Sequence, residues 1–160
     1  MIVVSDNSAL SALAEAGLTN LLPRLFGTVV IPEAVYRETL HPRAPGPLRE
    51  WSKLPPKWLT VVPNPTNLLA ETEGLGPGEA AAITLAWENR AASRLILDEK
   101  RGRRVAEALG LPKTGVLGII GEAAGRGWLD FDEAIERIIR TGFHIHPPLI
   151  DLVRSRLNIP

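Results

Sequence analysis

Four carboxylates in this 160-residue chain occupy positions from which side chains can do chemistry: Asp6, Glu38, Glu79 and Asp98. Asp6 follows the run Ile2-Val3-Val4 and Asp98 follows Leu95-Ile96-Leu97, two short apolar stretches that read as buried strands. In an open α/β sheet the functional crevice lies at the carboxyl ends of the strands, so parallel neighbours would bring both aspartates to one edge. Each also suits the N-cap of the helix that follows it. Glu79 shares a helical stripe with Ala82, Ile83 and Ala86, in line with an inward-packing face where an unpaired charge is costly. Its other reading is a first-turn glutamate, favoured by the helix dipole and still reaching water. In helical direction Glu38 falls between Ala34 and Val35, turned either to the sheet or to the surface beside Arg37 or Arg101.

Carboxylates aimed at one crevice repel one another, and nothing obvious in the sequence neutralises them. A hard divalent cation would. Mg²⁺ and Mn²⁺ prefer oxygen ligands, and two such ions can activate a water and stabilise the leaving oxygen of a phosphodiester. The absence of cysteine and the presence of only three histidines suit that chemistry better than zinc.

Lys plus Arg and Asp plus Glu each number 18, so any attraction to a polyanion must be local. Lys100-Arg101-Gly102-Arg103-Arg104 is the best such patch, its alternative being a solvated helix face. The Gly74 to Gly78 loop lacks the Gly-Lys-Ser/Thr ending of a phosphate loop and reads as a turn before a helix. His144 and His146 would share one face of a strand; with Pro147 next and no third ligand evident, they read as a surface or interface pair. Asp130, Asp132, Glu133 and Glu136 fit the acidic first turns of a solvated helix.

The elements that must position these residues alternate. After the Ile2 to Val4 strand, Leu10, Leu13 and Ala14 keep helical spacing until Gly17; Val29 to Ile31 repeats the strand, and Pro32 opens a helix through Glu38. Seven of the 14 prolines lie between Pro42 and Pro65, which predicts an irregular insertion docked through Leu48, Trp51, Leu54, Trp58 and Leu59, with a strand at Leu59 to Val62. A helix is expected from Glu79 to Trp87, another from Arg101 to Leu109, and a short strand from Lys113 to Val116. Three more helices follow, near Leu117 to Ala124, Phe131 to Thr141 and Pro148 to Leu157. This alternation implies one α/β domain with a parallel sheet covered on both faces. Apolar and charged shares of 45% and 22% are those of an ordinary globular protein. No apolar run reaches the roughly 20 residues of a membrane span, and MIVVSDNSAL lacks a basic leader, which makes the cytoplasm the expected compartment.

The ordered segments IVVSDNSAL, IPEAVYRETL, GLGPGEAAAITLA and RLILDEKRGRRVAEALG resemble the PIN-domain proteins, in particular a bacterial and archaeal branch related to the VapC-type toxin nucleases. The resemblance covers essentially the whole chain. It implies a three-layer α/β/α domain with a central parallel sheet, and a ribonuclease in which Asp6, Glu38, Glu79 and Asp98 hold Mg²⁺ or Mn²⁺. It further implies single-stranded RNA as substrate, a homodimer, and a cognate antitoxin of a toxin-antitoxin pair. Lys100, Arg101, Arg103 and Arg104 would hold flanking phosphates. The third acidic position, often aspartate in the family, is Glu79 here; Glu99 competes with Asp98 for the fourth; and Ser8 would supply the hydroxyl that the family often places directly after the first aspartate. A catalytically silent PIN-like binding module and a metal-dependent phosphoesterase acting on nucleotides or DNA are the rival readings.

Overall fold

Val3 and Val4 are both buried yet belong to different apolar clusters, one on each side of the strand they share. That follows from the two-residue period of a strand whose sheet is covered on both faces. In the computed structural model, which describes residues 1–158, this strand, β1 (Ile2–Ser5), is the middle of five. On one side it pairs with β2 (Val29–Pro32), which pairs in turn with β3 (Leu59–Val62); on the other lie β4 (Ser93–Ile96) and β5 (Lys113–Thr114). All four pairings are parallel. The order β3-β2-β1-β4-β5 means that the chain works outward from β1 to one edge, then returns to build the other. The direction changes between β1 and β4, where Ser5 stands opposite Ile96.

Helices fill both faces. The helices α1 (Asn7–Glu15), α2 (Leu21–Phe26), α3 (Glu33–Thr39), α7 (Val116–Gly125) and α8 (Phe131–Arg140) contribute Leu10, Leu13, Leu22, Val35, Ile119, Ile120 and Ile138 to the larger cluster. Against the opposite face, α5 (Pro77–Glu88) and α6 (Lys100–Ala108) place Ala82, Ile83, Ala86 and Ala106 on Val4, Leu95 and Leu97. Fully burying a residue such as Ile83 or Leu95 stabilises the fold by roughly 1.5–3 kcal/mol. The final helix, α9 (Pro147–Arg156), packs on α7: a side chain on Gly121 would run into Val153 and Leu157.

Two expectations change. The proline-rich segment is not irregular throughout: α4 (Gly46–Lys53) forms inside it and buries Leu48 completely. Pro47 sits in the first turn of that helix, where its missing N–H would have had no partner anyway. Trp51 and Trp58 meet edge to face at 5.3 Å, while Leu54, expected to dock, is 82% exposed. His144 and His146 lie outside any strand; His146 instead caps α9, because Pro147 and Pro148 preset helical backbone and have no N–H to give a sheet. Among the described residues no helix is long and apolar enough to cross a membrane.

Candidate active site

Asp6 directly continues β1, and its N–H is held by the Ile96 carbonyl of the neighbouring strand at 3.1 Å. Its carboxylate turns back over the start of α1 and accepts a long hydrogen bond from Ala9 N at 3.4 Å. Asp98 leaves β4 two residues after its end. It does not cap α6, the helix that follows it; its Oδ2 accepts from Val116 N at 3.0 Å, at the first turn of α7. Glu38, late in α3, reaches the first turn of α5, where the Gly78 N–H favours its ionised form. Glu79, in that same turn, is favoured likewise by the Gly76 N–H. Three helix N-termini therefore point at one end of the sheet, and their partial positive charge makes a cluster of acids tolerable there.

The neutralisation is incomplete. Burial first, then the charges of Asp98, Glu79 and Glu99, hold the Asp6 carboxyl well above its ordinary range. Burial, opposed by the Val116 N–H and by Arg103, and reinforced by Glu99, brings Asp98 up to about 6. Glu79 is raised by burial and by Glu99 and Glu38, against Arg101 and Gly76; Glu38 is raised by burial. Asp6, Glu79, Asp98 and Glu99 thus feel one another, and Glu38 joins them through Glu79. Glu99 is fixed from across the site by Ser8 Oγ, which donates to its Oε1 at 2.9 Å. Glu79 lies in the first turn of α5 and is only part-buried, yet its Oε2 is buried and has no hydrogen-bond partner.

Counter-ions are present after all. Arg103 Nη1 stands 3.8 Å from Asp98 Oδ1, and the Arg101 charge acts on Glu79. The basic run of α6 is therefore divided: Arg103 is half-buried beside Asp98, the exposed Arg101 acts on Glu79, and Lys100 and Arg104 are exposed. Three glycines make room for these carboxylates. A methyl group on Gly78 would collide with Glu38 Oε1, one on Gly115 with Asp98 Oδ1, and one on Gly102 would lie 2.7 Å from Glu79 Oε2. None of the three has a positive φ, so what glycine provides is room for a carboxylate and not a special backbone. Asn7, beside Asp6, carries in its Oδ1 the other unpartnered buried side-chain atom among the described residues. No spacing pattern marks these four, because their role depends on which helices meet.

The donor set fits a hard dication: carboxylate oxygens alone, with Asp6, Glu38, Glu79 and Asp98 raised in pKa chiefly by burial, and one oxygen buried and unsatisfied. As the side chains stand, no three His, Asp or Glu groups among the described residues are close enough to share an ion.

A family model described as PIN domain matches residues 2–158. No curated protein and no solved structure matches the chain.

Proposed function

The chain belongs to the PIN-domain family, whose usual function is nucleolytic, and on that premise we propose that it is a divalent-metal-dependent endoribonuclease that hydrolyses phosphodiesters in single-stranded RNA. The observation that carries the proposal is the convergence of Asp6, Glu79, Asp98 and Glu99 at the switch point between β1 and β4, with Glu79 Oε2 left unsatisfied. Asp6, Glu38, Glu79 and Asp98, with Glu99 as a further donor, would hold Mg²⁺ or Mn²⁺. The bound ion would supply the Lewis acidity that eases deprotonation of an attacking water and offsets charge on the leaving oxygen.

The chain's own groups do the rest. Backbone N–H groups at α1 and α7 orient Asp6 and Asp98, and Ser8 fixes Glu99. Lys100 and Arg104, both exposed, would hold flanking phosphates, and Arg103, beside Asp98, would divide its charge between that carboxylate and the substrate. Assays on single-stranded RNA, single-stranded DNA and a nucleotide, each with Mn²⁺ and with chelator, test the proposal. Metal-dependent cutting of RNA within the chain supports it, and turnover of the nucleotide alone refutes it.

The proposal extends to partners, a homodimer and a cognate antitoxin in a toxin-antitoxin pair, and to a cytoplasmic location. Light scattering at high micromolar concentration tests the dimer. Toxicity on expression with and without the neighbouring reading frame tests the antitoxin. A second reading, a catalytically silent PIN-like module that binds RNA or protein, draws on the absence among the described residues of three groups close enough to share an ion. It predicts no stabilisation by Mn²⁺.

A further inference from the structure

A groove of about 720 Å³ opens beside Asp98 and runs between α6, the β5 edge and α9. Five cationic side chains line it, Lys100, Arg103, Arg104, Lys113 and Arg156, against two carboxylates, Asp98 and Glu107. On a chain of zero formal charge this is a local positive excess. Arg103 is partly engaged by Asp98, and among the described residues the other four cations form no ion pair. The remainder of the lining is unlike a plain phosphate patch. Leu149 and Leu152 from α9 stand 47% and 44% exposed in it, beside the half-buried Phe143.

Cationic side chains beside accessible apolar and aromatic ones match one kind of polymer. Single-stranded nucleic acid carries phosphates for the cations and unstacked base faces for the apolar groups. A duplex keeps its base faces inside, where these apolar groups cannot reach them. The geometry points to this groove as the binding track for the single strand on one side of the scissile phosphate, with Lys113, Arg156, Leu149 and Leu152 as its new members. The placing of the scissile phosphate rests on the nuclease reading above; the binding itself does not. The contacts are to phosphates and base faces, so RNA and DNA strands share the chemistry that is recognised.

Fluorescence anisotropy in chelator, with labelled single-stranded RNA, single-stranded DNA and duplex RNA of equal length, tests the track without any turnover. Both single strands should bind more tightly than the duplex. Lys113→Gln with Arg156→Gln should weaken single-strand binding roughly tenfold near 0.1 M salt and reduce the slope of log affinity against log salt by about 1.4. Leu149→Ser with Leu152→Ser should weaken it without changing that slope. These are largely exposed positions, and thermal melts establish that each variant is folded. Wild-type affinity in both double variants, or a duplex bound as tightly as the strands, would overturn the proposal and leave the groove to another occupant, such as an acidic protein segment. Groove-dependent binding without any cleavage would defeat the nuclease reading alone. Cleavage with an unaltered KM in both double variants would defeat the groove alone.

Discussion

A methyl group on Gly102 would stand 2.7 Å from Glu79 Oε2, the buried carboxylate oxygen without a hydrogen-bond partner. The atom it meets is the far end of a flexible arm, so the arm can give way at little cost. Alanine within α6 would itself favour the helix by about 1 kcal/mol. Gly102→Ala is therefore expected to leave the melting temperature in chelator unchanged or raised, and to shrink the upward shift produced by millimolar Mn²⁺. Adding Glu79→Asp, whose shorter arm makes room for the methyl group, should restore part of that shift. A purely structural glycine would show neither the selective loss nor the rescue.

Removing the Glu79 charge directly separates a ligand from a helix-dipole glutamate. Burial first, then Glu99 and Glu38, together disfavour its ionised form more than Arg101 and the Gly76 N–H favour it, so its pKa is raised. In chelator, Glu79→Gln should be as stable as the wild type or more so, whereas a role confined to the helix start predicts a small loss. With Mn²⁺ the ranking should reverse, because an ion that binds only the native state stabilises it by an amount set by its affinity. Equal metal-induced shifts in thermal melts of the two proteins would take Glu79 out of the site.

The raised aspartates give a pH dependence of definite sign. Between the ordinary value of 3.8 and about 6, folded Asp98 keeps a proton that the unfolded chain has lost. Its contribution to stability is present in full below the lower value and is lost as pH rises through the upper one, on the order of 3 kcal/mol. Asp6, also raised, acts in the same direction. Urea unfolding in chelator should therefore show stability declining as pH rises through about 6, and less steeply in Asp98→Asn. Mn²⁺ should flatten the wild-type decline by favouring the ionised acids. Identical pH profiles for wild type and Asp98→Asn would contradict the shift.

Much of this site could be read in the sequence because it depends on local order. A short apolar run ending in aspartate places that aspartate at a strand's carboxyl end whatever packs around it, and parallel pairing then joins Asp6 to Asp98. The stripe Glu79, Ala82, Ile83, Ala86 foretold a carboxylate turned inward. Other features depend on which elements meet. The helix α2 gives no periodic signal of its own, and Pro23 is tolerated in it because it falls in the first turn. Leu48 among prolines gives no period, and only contact with the core makes α4 a helix worth forming. That Asp98 would serve α7 and not α6, that the charges of Arg101 and Arg103 would act on acids, and that Gly78, Gly102 and Gly115 would each make room for a carboxylate are all facts of assembly. Spacing along the chain carries no trace of them.

The central claim is that these acids perform metal-dependent cleavage, and Asp6→Asn and Asp98→Asn test it most directly. Asparagine can still accept the hydrogen bonds from Ala9 N and Val116 N, so each variant removes a charge and keeps the helix contact. The measurement is the rate of cutting of a labelled single-stranded RNA by wild type and both variants, in Mn²⁺ and in chelator, with melts to show that all three are folded. The wild type should cut only with metal, and each variant should be slower by at least about a hundredfold. A folded variant that cuts at the wild-type rate, or a wild type equally active in chelator, would contradict it.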